Sequence, residues 1–150
     1  MTNAWVVRAV TAADLTTARA ALALFRRAFE EADGEAPSDE HLAAWLATPT
    51  QLLRVVVDAQ GAVLGAASAF VLSLPRTPVP EVYLYDLAVD EAHRRQGIAT
   101  ALIQDLRRHA GACGAACVYV QADAEDDAAL ALYARLGHQT AVYHFQFQPV

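Results

Sequence analysis

Cysteine is scarce in this chain: Cys113 and Cys117 are the only two among 150 residues. Two thiols at that spacing make neither a zinc site nor a disulfide framework, so they read as reduced and partly buried. No apolar run is long enough to span a bilayer, and Met1 to Arg8 lacks the pattern of an export signal; a cytoplasmic protein that keeps clear of membranes is expected. The five histidines are scattered without ligand-like spacing, and no metal site is expected. Both better-known glycine-rich phosphate loops are missing, since there is no GxGxxG and no Gly-Lys-Ser/Thr. Positive charge is also short. Eleven basic against seventeen acidic side chains leave a formal charge of −6, which argues against nucleic acid and suits a cationic partner.

What is present fits one domain, residues 1–150, with a substantial core in which alanine is abundant. The chain is organised around Glu81 to Ala110. Val82 to Val89 is rich in β-branched, aromatic and aliphatic residues and reads as a strand. Leu102, Ile103 and Leu106 recur at helical spacing, with Arg107 and Arg108 toward the negative end of the helix dipole. Between them runs Arg94-Arg95-Gln96-Gly97-Ile98-Ala99-Thr100. A glycine at a strand-to-helix turn permits close approach to a ligand, and the first helical amides have no intrahelical partner. With two arginines alongside, this is a candidate phosphate cradle. Taken alone, Arg-x-x-Gly-x-Ala reads more readily as an ordinary helix start on a solvated basic turn.

Around this centre, Trp5 to Val10 reads as a strand, and Thr11 to Asp14 as the cap of a helix with an apolar stripe of Leu15, Ala18, Leu22, Phe25 and Phe29. An acidic loop, Ala32 to Pro37, leads to a short helix capped by Ser38 and ended by Pro49. Leu52–Asp58 and Ala62–Leu72 form a hairpin through Ala59-Gln60-Gly61, and Pro75, Pro78 and Pro80 predict a stiff loop after it. Gly111 and Gly114 stop the central helix. Ala116–Ala122 is a strand, Asp126–Leu136 a helix ended by Gly137, and Gln139–Phe147 a last strand. Early hairpins and later helix crossovers predict an α+β (α/β) fold. Its mixed, mostly antiparallel sheet has a central parallel pair at Tyr83 and Val118 and is flanked by about four helices. Ligands of such sheets bind beyond the carboxyl ends of parallel strands, where Asp90 to Thr100 lies.

Two segments carry a resemblance to the GNAT superfamily of N-acetyltransferases. Leu87-Ala-Val89 followed by Arg94-x-x-Gly97-x-Ala99 resembles that family's acetyl-CoA motif. Asp126-x-x-Ala129-x-x-x-Tyr133-x-x-Leu136-Gly137 resembles its second motif, with Asp126 where Asn is usual and Gly137-His138 in place of Gly-Phe. The order of elements is similar over nearly the whole chain. Tyr83 to Val89, His93 to Ile103, Val120 to Asp123 and Val142 to Phe145 are similar to GNAT-type aminoglycoside 3-N-acetyltransferases, well in the C-terminal half and loosely in the N-terminal half. The resemblance implies acetyl transfer from acetyl-CoA to an amine of a polycationic aminosugar, a small cationic substrate, and a homodimer.

Carried over residue by residue, the resemblance implies that backbone at Leu87, Ala88 and Val89 holds the thioester and pantetheine arm. Arg94, Arg95, Gln96, Gly97, Ile98, Ala99 and Thr100 would take the pyrophosphate, with Asp126 in the second motif completing the coenzyme set. Asp86 is the candidate base, because a carboxylate in an apolar strand is costly unless paired or functional. Strict alternation puts it on the face of Val82, Leu84 and Ala88, so a bulge near Tyr85 is expected to turn it into the acceptor cleft. The alternative is a carboxylate satisfied by a structural arginine. Tyr133 is the candidate acid for the leaving thiolate, or otherwise a core tyrosine. Glu81, Tyr85, Asp86, Asp123, Glu125 and Asp127 are candidates for the acceptor site, although Glu125 to Asp127 also suits a helix N-terminus. His144 is assigned no chemistry. Two rival functions remain: an acetyltransferase for another amine, such as a polyamine, a protein lysine or a protein N-terminus, and a non-catalytic acetyl-CoA-binding module.

Overall fold

The computed structural model describes residues 4–31 and 34–150. Strand β1 (Trp5–Ala9) leads into helix α1 (Leu15–Ala28), then α2 (Asp39–Ala47) and the strands β2 (Gln51–Asp58), β3 (Val63–Leu74) and β4 (Thr77–Val89). A single 3-10 turn, Glu91–His93, precedes α3 (Ile98–Ala112), followed by β5 (Val118–Val120) and α4 (Asp127–Leu136). The strands lie in the order β1-β2-β3-β4-β5. The first three neighbouring pairs are antiparallel, and only β4 with β5 is parallel. This is the mixed sheet the sequence predicts, with its parallel pair joining Val82 to Val118 and Tyr83 to Tyr119.

One core lies on each face. α3 covers one face with Ile98, Leu102, Ile103, Leu106 and Ala110 against Val56, Ala67, Val82 and Leu84. α1 and α2 cover the other with Ala18, Ala21, Leu24, Phe25 and Leu42 against Val55, Ala66 and Ala88. The alanines of β3 let helices approach the sheet from both sides. Gly65 takes this furthest, because a Cβ there would run into the Cγ2 methyl of Ile98, the first residue of α3. Helix ends are fixed by the residues expected. The Asp14 carboxylate accepts from the Thr17 amide at 3.1 Å and from the Arg8 guanidinium at 3.0 Å, tying α1 to β1. Ser38 accepts from His41 N–H at 3.1 Å at the head of α2. Arg54 of β2 reaches Asp105 of α3 at 2.8 Å.

Four expectations are corrected. The proline-rich stretch is strand, not loop: β3 and β4 turn over Pro75 and Arg76 alone, with Leu74 paired to Thr77. Prolines are tolerated there because the ladder is irregular between Leu72 and Leu74. The α1 stripe is rotated, burying Thr17, Ala21 and Leu24 with Ala18 and Phe25, while Phe29 is exposed. Both cysteines are free and exposed. Finally, residues 138–150 form no strand; they run exposed after α4, since among the described residues no strand pairs with them. Of the acidic loop expected at Ala32 to Pro37, residues 32 and 33 lie outside the described residues.

Candidate active site

The site begins with one extra residue in β4. Ser68 pairs with Asp86 and Ala69 with Leu84, so Tyr85 has no partner and forms the expected bulge. Before it, Val82 and Leu84 point to the α3 side; after it, Leu87 and Val89 take that side and Ala88 turns to α1. Asp86 shares the parity of Ala88 and is rotated with it. Its carboxylate enters a cleft of about 220 Å³ lined also by Leu22, Phe25, Arg26, Phe29, Glu31 and Pro37.

Within the described residues, no arginine bonds Asp86. Its partner is Ser68, whose hydroxyl donates to Oδ2 at 2.5 Å. Burial pushes the Asp86 carboxyl above the ordinary Asp range; the Ser68 hydrogen bond draws it part of the way back, and the charge of Glu31 raises it. Ser68 was invisible in the sequence, where it reads as one more small residue in Gly65-Ala-Ala-Ser-Ala69.

On the same face of the sheet runs a row of aromatic rings. Trp45 meets Phe70 edge to face, Phe70 meets Tyr85, and Tyr85 meets Tyr83, at centroid distances of 5.9, 5.9 and 5.5 Å. Tyr83 then stacks on Tyr119 at 4.7 Å. Tyr85 is 62% exposed, so the row is an open floor. Burial lifts the Tyr119 phenol, and the nearby Glu81 carboxylate adds to the shift, which places Glu81 at the end of the row. Only Tyr85 of these aromatics was singled out beforehand. Tyr83 bonds Gln121 at 3.0 Å, two residues before Asp123. Asp123 and Glu125 are exposed on the segment that follows, and Asp127 is exposed at the first position of α4.

On the other side of the bulge, β4 loses its parallel neighbour, because pairing with β5 stops at Leu84 and Val120. The Asp90 N–H bonds the Leu64 carbonyl at 2.8 Å, toward β3. Alternation therefore turns the amides of Leu87 and Val89 the opposite way, into the gap where β5 has ended. The chain then crosses the 3-10 turn, held by the Asp90 carboxylate on Ala92 N–H at 3.1 Å. Arg95 and Gly97 both adopt positive φ, 62° and 81°. The first bond of α3 runs from Ala101 N–H to the Gly97 carbonyl at 2.9 Å, and no side chain caps the helix. The amides of Ile98, Ala99 and Thr100 therefore have no intrahelical partner. Arg94 and Arg95 stand exposed beside them. This curl of free amides at the positive end of a fifteen-residue helix fits a diphosphate.

Tyr133 packs against the apolar cluster that includes Leu87 and Val89. Burial, with a lesser contribution from the charge of Asp126, raises its phenol above the ordinary value and keeps it protonated at neutral pH. Asp126 caps α4 by accepting from Ala129 N–H at 3.0 Å, so Asp in place of Asn keeps the capping function. Among the described residues no group of His, Cys, Asp or Glu is arranged to hold a metal, and no helix is long and apolar enough to cross a membrane.

Beside the parting parallel pair, the bulge and the amide-lined helix start stands the family finding: the chain belongs to the acetyltransferase (GNAT) family, whose model matches residues 18–138. Family members generally use acetyl-CoA. Among solved structures, the chain is similar to meta-AAC0020, an aminoglycoside acetyltransferase from an uncultured soil metagenomic sample, in complex with sisomicin. The TM-score is 0.93 at 29% identity, covering 99% of this chain and 98% of that one. HMB0005, another aminoglycoside acetyltransferase from an uncultured soil metagenomic sample, gives a TM-score of 0.93 at 33% identity over 100% of both chains. Among curated proteins, the [ribosomal protein bS18]-alanine N-acetyltransferase of Escherichia coli (strain K12) is 31% identical over 85 residues. That match spans 57% of this chain and 56% of the relative.

Proposed function

We propose that this chain acetylates an aminoglycoside, at the 3-amino group of the central ring in a gentamicin- or sisomicin-like drug, by direct transfer within a ternary complex. The observation that carries the reading is the Tyr85 bulge, which brings the Asp86 carboxylate, bonded by Ser68, into a cleft on the same face as an exposed aromatic floor with Glu81 near its Tyr119 end. Aromatic faces and carboxylates together suit a sugar bearing several ammonium groups. The likeness to a protein solved with sisomicin supports the same acceptor class.

Acetyl-CoA supplies the acetyl group as a thioester, which an amine can attack. The free amides from Gln96 to Thr100, with Arg94 and Arg95, would hold its pyrophosphate, and backbone at Val89 its amide arm; Ala88, expected to share that role, instead pairs with Ala66 and turns its backbone toward β3. The Leu87 N–H, turned into the gap beside β4, would polarise the thioester oxygen. Asp86 would take the proton from the attacking amine, and Tyr133 would give one to the sulfur as the carbon–sulfur bond breaks. Asp126 contributes through the cap that fixes α4 and with it Tyr133. Tyr85 would pack against a sugar ring, and Glu81, Asp123, Glu125 and Asp127 would meet its other ammonium groups. Acetylation removes a positive charge and weakens the drug's hold on RNA, so expression in the cytoplasm of a susceptible bacterium should raise tolerance.

Steady-state turnover of sisomicin tests the mechanism. Asp86→Asn should lower kcat by about 10²- to 10⁴-fold with little change in coenzyme affinity. Tyr133→Phe should lower it less, since water can replace the acid. Full activity in Asp86→Asn, or a stable acetyl-protein formed without acceptor, would remove Asp86 or direct transfer from the account. A second reading has its own observation: the Escherichia coli relative is an alanine N-acetyltransferase of ribosomal protein bS18. In that case turnover would follow a peptide amine and not an aminosugar.

A further inference from the structure

The end of α1 carries a strained residue beside the acceptor cleft. The last turn closes with the Phe29 N–H on the Phe25 carbonyl at 2.9 Å, and the chain then curls back until the Glu31 N–H meets the Arg26 carbonyl at 3.1 Å. Such a closure needs a left-handed residue just before its last donor, a place usually given to glycine. Here Glu30 holds it, at φ 51°. A side chain at positive φ is strained, and strain of this kind gathers at working sites. What the curl achieves is the placement of the next residue. Glu31 lines the cleft that Asp86 enters, together with Phe29 and Pro37. No ion pair among the described residues engages it.

The charged groups lining the cleft are Asp86 from β4 with Arg26 and Glu31 from the end of α1. The two carboxylates stand in different surroundings. Asp86 is half-buried, and after burial it is the charge of Glu31 that raises its carboxyl further. Glu31 is exposed. A carboxyl drawn toward its protonated form suits proton transfer, and an exposed one suits holding a cation. Size adds a second limit. An apolar cavity of about 150 Å³ already takes a benzene ring, so a cleft of about 220 Å³ takes one six-membered ring with its substituents. The rest of a larger acceptor lies outside it, over the aromatic floor.

We propose that Glu31 is a specificity-determining residue of this cleft, holding a second ammonium of the same ring whose first amine gives its proton to Asp86. The inference rests on the aminoglycoside reading and narrows it to acceptors with two amines on the reacting ring. The first nitrogen loses its proton to Asp86 and bonds the acetyl carbon as the carbon–sulfur bond breaks. The second ammonium keeps its proton throughout. Arg26, a donor without an acceptor, meets a hydroxyl oxygen of the ring and repels a third ammonium. An alanine-ended peptide offers one ammonium at its end and gives Glu31 nothing to hold.

Steady-state kinetics with sisomicin and with its 1-deamino derivative, which lacks the other amine of the central ring, tests this. Glu31→Gln should raise the KM for sisomicin by about tenfold, the weight of one hydrogen bond to a charged group. It should add no rise with the derivative, whose KM is already high in the parent, and the KM for acetyl-CoA should stay unmoved. The acid limb of kcat/KM should also move to lower pH, since the charge that opposes ionisation of Asp86 is gone. An equal rise in KM for both acceptors would mean that Glu31 acts only through the shape of the loop, and would overturn the proposal. An unmoved KM for sisomicin, with the parent active on it, would remove the subsite alone. No turnover of sisomicin by the parent would remove the acceptor class and the subsite with it.

Discussion

In the proposed mechanism, Asp86 and Ser68 together set the working pH of the site. The Ser68 hydroxyl is the one group that lowers the Asp86 pKa against burial. Ser68→Ala should therefore move the acid limb of the kcat/KM profile to higher pH, while turnover above that limb is retained; an unmoved limb would mean that the limb belongs to another group. Stability carries the opposite sign from most carboxylates. Because the folded pKa of Asp86 is raised, the fold binds its proton more tightly than the unfolded chain. Stability from this group is complete below the unfolded value of about 3.9 and falls as pH rises through the window up to the folded pKa. Asp86→Asn should thus gain Tm relative to the parent between acid and neutral pH, a difference that melting curves at several pH values can read. Asp86 was legible in the sequence as a carboxylate in an apolar strand, and its conflict with simple alternation pointed to the bulge. Ser68 was not, because its role arises from register across two strands, which composition does not encode.

Gly65 is the corresponding lesson for elements. It sits on β3, far in sequence from the coenzyme turn, yet its missing side chain is what lets Ile98 seat the start of α3 against the sheet. Gly65→Ala should lower stability by about 1–3 kcal/mol through overpacking and weaken coenzyme A binding, as read by urea unfolding and titration calorimetry. Gly97→Glu should abolish that binding with a smaller effect on folding, since nothing crowds its Cβ. The strain of positive φ and a negative charge beside the amides act locally. Equal coenzyme affinity in Gly97→Glu would show that the diphosphate lies elsewhere. The elements themselves were legible wherever periodicity and caps agreed, as at Asp14, Ser38 and Asp126. They were misread where a local signal met a tertiary one. Pro78 and Pro80 suggested a loop, but β4 runs on through them, with pairing to β3 interrupted there and held on either side at Thr77 and Glu81. Tyr143, Phe145 and Phe147 alternate as a strand would, but no strand forms there, because nothing among the described residues pairs with that stretch.

At the scale of the whole molecule, the formal charge of −6 bears on capture of the acceptor. A polycation drawn to an acidic cleft should show a KM that rises with ionic strength, while KM for acetyl-CoA should not rise with it. A salt-independent acceptor KM would assign recognition to shape and stacking on the aromatic floor. The fold, and the shape of the turn proposed to hold the coenzyme, were legible because they rest on contiguous motifs, Leu87 to Thr100 and Asp126 to Gly137. The acceptor face was less so, since it is assembled from Leu22, Phe70, Tyr83 and Tyr119 on four different elements. The acceptor is therefore where one measurement weighs most: release of the coenzyme A thiol from acetyl-CoA, followed in parallel with gentamicin, sisomicin, a polyamine and an alanine-ended peptide. The account predicts turnover with gentamicin and sisomicin, with product spectra placing the new amide on the 3-amino group, and little with the others. No thiol release with either aminoglycoside, alongside brisk turnover of the polyamine or the peptide, would contradict it.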